Sequence, residues 1–178
     1  MDFRTVLTIL LGKFGKERVR YGLMGGFALG LWGVGRSTVD LDFLIDRSDL
    51  DKVRGIMKEL GYVLKFSSEN VSQYVSEQHV YGEVDFLHAF RQASIEMLAR
   101  AEEKDIFNGR LRIKVLLPED LIGLKLQAIK NNPVRRESDM ADIRELAAVR
   151  RGTLDWDLIT RYAEILDAQD LLREVRTT

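Results

Sequence analysis

The run Val39-Asp40-Leu41-Asp42-Phe43-Leu44-Ile45 puts two carboxylates two residues apart inside an apolar strand. Side chains two apart on a strand leave the same face, so Asp40 and Asp42 project together while Leu41, Phe43 and Ile45 point the other way into a core. Like charges that close disfavour joint ionisation unless a cation neutralises them. Asp85 repeats the pattern on a second strand-like run, Glu83 to His88, where Val84 and Phe86 face opposite to it. If the two strands are neighbours, three carboxylates converge on one sheet face.

The glycine-rich, uncharged stretch Tyr21 to Gly35 leads into this strand with six glycines, and it is too short to span a bilayer. A strand over 20–24 ends at Gly25-Gly26, and a helix of small and apolar residues over 27–34 follows. Such a turn either serves close packing or lets backbone approach a ligand, with the N–H groups at the helix start open to phosphate. Arg36, a fixed cation before the strand, either meets phosphate or pairs with Asp46.

Period and punctuation give the remaining layout. A helix over 2–18 carries Phe3, Val6, Leu7, Leu10, Leu11 and Phe14 on one stripe. Ser48 or Asp49 opens a helix to Leu60, strands follow over 62–67 and 71–76, and a helix over 92–103 comes after the Asp85 strand. Asn108-Gly109 marks a hairpin. Beyond Pro118 the pattern is helical, over 118–131, 137–150 and 155–175. The fold class is therefore α/β (α+β), with a core over 1–117 and a helical portion over 118–178 packed on it.

Lys125 falls in the middle of the apolar arc of the 118–131 helix, among Leu121, Ile122, Leu124, Leu126, Ala128 and Ile129. Its ammonium either snorkels along a groove or emerges at a triphosphate. On the next helix Asp139 lies on the buried stripe and Asp142 at its edge. Asp139 either serves a site or suits a first helical turn after Ser138 as N-cap, and Asp142 either serves a site or pairs with Lys125 or an arginine. His88 reads as a hydrogen-bonded core residue, His79 as part of a loop, and Trp32 and Tyr21 as packing or base-stacking rings. The arginine pairs 135–136 and 150–151 are either solvated faces or a rim for an RNA acceptor.

Composition closes off other classes. The net charge of −1 argues against a chain that coats nucleic acid. The absence of cysteine rules out disulfides and thiolate zinc sites and suits a reducing cytoplasm. The N-terminus reads as an amphipathic helix rather than a signal peptide, and no membrane association is expected.

Taken together, Gly25-Gly26, Asp40-Leu41-Asp42 and Asp85 resemble the signature of the DNA-polymerase-β-type nucleotidyltransferase superfamily. Within it, Gly-Gly-x-Ala-Leu followed by Arg36-Ser37-Thr38-Val39-Asp40-Leu41-Asp42-Phe43 is similar to the AbiEii-type toxins and their minimal relatives. Lys125 and Asp139/Asp142 match that group's later motifs, so the likeness covers roughly residues 20–146. Ser138 departs from it, standing where several relatives carry a basic residue, which leaves Arg135 or Arg136 to substitute.

The resemblance implies a mixed sheet with helices on one face and the acids on the open one. It also implies transfer of a nucleoside monophosphate from an NTP, ATP included, to an acceptor hydroxyl with release of pyrophosphate. Asp40, Asp42 and Asp85 would bind two Mg²⁺ (or Mn²⁺) ions, and Lys125 would join them in catalysis. Gly25, Gly26, Arg36, Thr38, Asp139 and Asp142 would hold the nucleotide. The acceptor would be tRNA or a protein and the partner a cognate antitoxin, the alternatives being a small-molecule acceptor such as an aminoglycoside or a silent nucleotide-binding module.

Overall fold

The computed structural model describes residues 1–78 and 80–176; His79 lies outside the described residues. The chain divides into two compact units, the first of residues 1–28 and 37–116, the second of residues 29–36 and 117–176, with the final two residues not described.

The first unit is built on a seven-stranded mixed sheet. Its strands are β1 (Tyr21–Met24), β2 (Asp40–Asp46), β3 (Val63–Ser67), β4 (Val71–Val75), β5 (Glu83–Ala89), β6 (Glu102–Ile106) and β7 (Leu111–Val115), in spatial order β3-β4-β5-β2-β1-β7-β6. The β2–β5 and β1–β7 pairs are parallel and the other pairs antiparallel. Leu41, Phe43, Leu44 and Ile45 of β2 are fully buried, as are Val84 and Phe86 of β5.

Helix α1 (Phe3–Glu17) starts where Asp2 accepts the Thr5 N–H at 3.1 Å. It ends at Arg18, whose φ of 54° cannot continue a helix. Its stripe of Val6, Leu7, Leu10, Leu11 and Phe14 is buried, and Phe14 meets Phe43 and Phe86 with ring centroids 5.6 and 6.3 Å apart. The helix therefore covers the face of β2 and β5 opposite to Asp42 and Asp85. Tyr21 joins the same cluster, 5.2 Å from Phe14, as a packing ring. Asp46 caps the short turn Arg47–Asp49, accepting the Ser48 N–H at 2.8 Å, and of the two expected openings Asp49, not Ser48, is the N-cap of α3 (Leu50–Glu59).

Two expectations for this unit are corrected. The helix α2 begins at the glycines themselves and is short, Gly25–Leu31, because Gly25 already takes the turn. The helix expected over 92–103 stops at Ala99, as α4 (Gln92–Ala99). The charged run that follows is β6, because the tight turn at Phe107, Asn108 and Gly109, all at positive φ, pairs it with β7 as a hairpin edge.

The second unit is helical. It contains the end of α2 and the segment to Arg36, then α5 (Pro118–Asn131), α6 (Arg136–Val149), α7 (Trp156–Ile165) and α8 (Gln169–Arg176). Pro118 opens α5 at a position where its missing N–H costs nothing. Asp155 caps α7, accepting the N–H groups of Asp157 and Leu158 at 3.0 Å. A single helix over 155–175 was expected, but Asp167 turns into the left-handed region at φ 50°. The Ala168 N–H then returns to the Ala163 carbonyl at 2.8 Å, which ends α7 without glycine or proline. Ser138 is not a cap: α6 starts two residues earlier, and the Ser138 hydroxyl donates to the Arg135 carbonyl at 3.1 Å.

Candidate active site

Register decides which side chains meet on the sheet. Met24 pairs with Asp42, Asp42 with Asp85, and Asp85 with Gln73, so these four form one row across β1, β2, β5 and β4. Neighbouring strands stand about 4.8 Å apart, so Asp42 and Asp85 are adjacent on the same face. Asp40 joins them from two residues back, beside Glu83 in the next row. The convergence expected of Asp40, Asp42 and Asp85 is thus present.

Each acid is held differently. The Gln73 amide donates to Asp85 Oδ2 at 2.6 Å, and Asp85 Oδ1 is buried with no hydrogen-bond partner. Burial pushes the Asp85 carboxyl above its ordinary value; Gln73 opposes this, and repulsion from Asp40 and Glu83 adds to it. Asp40 is fixed by the Thr38 hydroxyl, which donates to Oδ1 at 2.6 Å, so Thr38 orients a site acid. Asp42 lies against Gly25, where an added Cβ would fall 1.8 Å from Asp42 Oδ2. With φ at +69° as well, this position accepts only glycine.

Divalent-cation chemistry can be tested on this donor set. Three carboxylates on one face, one of them with a buried oxygen that lacks a donor, fit a hard cation taking oxygen ligands. As the side chains stand, no group of three or more His, Cys, Asp or Glu among the described residues forms a ready-made cage.

On the second unit the remaining expected site residues form an ion-pair cluster. Lys125 Nζ donates to Asp139 Oδ1 at 2.7 Å and to Asp142 Oδ2 at 2.6 Å. Arg36 also pairs with Asp142, and Arg135 Nε donates to Asp139 Oδ2 at 2.9 Å. The alternative pairing of Arg36 with Asp46 is excluded, because Asp46 is taken by Arg20 at 2.6 Å. Only 13% of the Lys125 side chain and 1% of Asp139 is exposed, so this lysine is no surface snorkel. Burial pushes Asp139 up, but hydrogen bonds from Arg135 and Lys125 outweigh it and hold the carboxyl below its usual range.

Two neighbours of the expected site residues were not legible in the sequence. Gln73 is found only once the β4–β5 register is known, and Glu145 only through its long-range bond to the Gly35 N–H at 2.9 Å. His88 behaves as expected of a core residue, bonded to Ser72 Oγ at 3.0 Å and to the Glu69 carbonyl at 2.9 Å. Trp32 is buried under the Arg150 guanidinium, 5.2 Å from the ring centroid.

Residues 6–177 match the family described as "Uncharacterised nucleotidyltransferase". The chain belongs to this nucleotidyltransferase family, and it is an enzyme that transfers nucleotides. No curated protein matches it by sequence.

Solved structures share its fold at low identity. The antibiotic-resistance factor ANT(2'')-Ia superposes with TM-score 0.65 at 16% identity, over 99% of this chain and 96% of that one. The lincomycin-bound lincosamide antibiotic adenylyltransferase LnuA gives 0.58 at 17%, over 82% and 96%. An antigenic nucleotidyltransferase-like protein from Paracoccidioides brasiliensis gives 0.57 at 18%, over 98% and 91%. None of these comparisons singles out the AbiEii-type branch. Among the described residues no helix is long and apolar enough to cross a membrane.

Proposed function

We propose that this nucleotidyltransferase moves a nucleoside monophosphate from an NTP to an acceptor hydroxyl, and that Asp40, Asp42 and Asp85 hold two Mg²⁺ ions for it. The carrying observation is the side-by-side register of Asp42 and Asp85 with Asp40 on the same face. Bound there, the ions would neutralise charge on the phosphoryl oxygens and lower the pKa of the acceptor hydroxyl. The bond from the α-phosphorus to the acceptor oxygen forms, the bond to the bridging oxygen breaks, and pyrophosphate leaves.

The chain's own contribution is placement. Gln73 fixes one oxygen of Asp85, and Asp85 would complete the carboxylate set and help activate the attacking hydroxyl. Thr38 and Gly25 hold Asp40 and Asp42 in their rotamers, while Gly25-Gly26 lets a phosphate approach main-chain N–H groups. On the second unit Lys125 and Arg36 are the cations assigned to phosphate. Asp142 holds both, so we assign Asp139 and Asp142 the role of positioning those cations rather than touching the nucleotide.

For the acceptor, the AbiEii-type likeness supports tRNA or protein, with an antitoxin as partner. A second reading, transfer to a small polyhydroxylated amine, is supported by the acids gathered on the sheet face, which suit a cationic acceptor. It is also supported by near-full-length similarity to antibiotic-modifying enzymes. The deciding experiment incubates the enzyme and Mg²⁺ with each α-labelled NTP and, separately, total RNA, total protein or an aminoglycoside panel. Label in one arm with matching pyrophosphate release assigns the acceptor. No pyrophosphate in any arm would overturn the transfer reading, and growth that is unaffected by expression of active enzyme would remove the toxin role.

A further inference from the structure

The second unit carries a cavity of about 590 Å³ that neither the sheet acids nor the Lys125 cluster uses. Its floor includes Leu154, Val175 and the Trp156 indole, and its walls carry Arg144, Arg151 and Arg176. No acid is among the described residues that line it. In a chain of net charge −1, three arginines round one concavity are a local concentration of positive charge.

The three cations are not equivalent. Arg176 lies over the Trp156 ring, 5.1 Å from its centroid, and donates to Thr160 Oγ1 at 3.0 Å, so its guanidinium is anchored beside the indole. Arg144 stands 3.6 Å from Glu174, a long contact that leaves most of its donors available. Arg151 is exposed, and among the described residues it forms no ion pair or side-chain hydrogen bond. It follows α6 at a turn kept open by Gly152, at φ +81°.

A guanidinium-backed aromatic surface beside two further arginines recognises a flat ring joined to an anion. The size lies in the range of small-ligand sites. An apolar patch alone would not call for three cations, and a bare anion would gain nothing from Trp156. We propose that this cavity is a second binding site for a nucleoside phosphate, with the base against Trp156 and Arg176 and the phosphate on Arg151 and Arg144. The ligand is either a free nucleotide or one unit of a single-stranded RNA. Base stacking with a basic groove is the common chemistry of both.

The chain's two tryptophans allow a direct readout. In a Trp32→Phe, Asp42→Asn background with EDTA present, Trp156 fluorescence is titrated with AMP, a ten-nucleotide single-stranded RNA and inorganic phosphate. We expect quenching by AMP and the RNA but not by phosphate. Arg151→Gln should weaken both by about tenfold, as for loss of a charge-assisted hydrogen bond. Arg112→Gln, on the hairpin of the first unit, should leave both unchanged.

RNA that binds at least tenfold tighter than AMP, with a log–log salt slope that drops by about one on Arg151→Gln, identifies a strand as the ligand. Equal affinities identify the free nucleotide. No quenching by either ligand overturns the proposal, as does equal weakening by the Arg151 and Arg112 variants. Because binding is read without metal and without Asp42, its failure leaves the transfer reaction at the sheet untouched.

Discussion

Asp85 and Asp139 are both acids withdrawn from water, and they respond in opposite directions. Asp85 on the sheet meets a neutral amide and two other acids, so burial and repulsion raise its pKa. Asp139 in the helical unit meets Lys125 and Arg135, and its pKa falls despite burial. Asp40 likewise meets a hydroxyl, whereas Asp142 meets Lys125 and Arg36. The helical cluster carries its own counter-charge within the fold. The sheet row draws on neutral donors for Asp40 and Asp85, which is the arrangement of a site awaiting an external cation.

The largest effect that tests this contrast is on turnover. Asp42→Asn should lower nucleotide transfer by about a thousandfold, the scale for removing one electrostatic contact to the transition state, with an unchanged circular-dichroism spectrum. Mg²⁺ should raise the thermal midpoint of the wild type by linkage and not that of Asp42→Asn. A variant that keeps near-normal transfer would erase the distinction between the two regions.

Next in size is stability. Lys125→Met leaves Asp139 and Asp142 buried with one cation fewer each, and should cost about 3–5 kcal/mol in urea unfolding. A compensating Lys125→Met/Asp142→Leu pair should recover part of that loss. If Lys125→Met is neutral, the helical cluster is not the self-compensated structure that its distances indicate.

How much of this was legible beforehand follows from the range of each signal. The strand period in Val39–Ile45 and Glu83–His88 located all three acids, because alternation is local and Leu41, Phe43, Val84 and Phe86 are buried as it requires. The apolar arc round Lys125 marked this lysine as out of place on a surface, while leaving open whether it snorkels or reaches a phosphate. For Arg36 only Asp46 was considered as an acid partner, because its contact with Asp142 exists only in the tertiary fold. Gln73 stayed invisible for the same reason: its role exists only in the β4–β5 register. The Asn108-Gly109 hairpin was foreseen, but the α7–α8 break and the start of β6 were misread, because Asp167 turns without glycine and because Glu102 and Glu103 are made strand by their hairpin partner rather than by propensity.

Gly25 sharpens the sheet side of the contrast. Gly25→Ala combines a left-handed backbone with a Cβ 1.8 Å from Asp42 Oδ2, so the carboxylate must leave its place. The strain should cost about 1–3 kcal/mol by chemical unfolding. Transfer should fall well beyond what the stability loss explains. Gly30→Ala, where an added Cβ meets nothing within 4 Å, is the matched control and should be mildly stabilising.

The smallest effect is the pH dependence of stability, and it has opposite sign in the two regions. For Asp139 the folded value lies below the ordinary 3.8, so the native state binds fewer protons than the unfolded chain near that pH. Its contribution is complete above 3.8 and is lost as pH falls through the folded value. Asp85 behaves inversely: its folded value lies above 3.8, so its ionisation weakens the fold as pH rises past 3.8. Urea midpoints followed from about pH 7 to about pH 3 should therefore fall less steeply at the acid end for Asp139→Asn than for the wild type. Asp85→Asn in EDTA should gain stability at neutral pH and show no such gain at the acid end. Equal profiles for the two variants would mean that the carboxylates share one environment, and the distinction between a row that recruits a cation and a cluster that already holds its own would be lost.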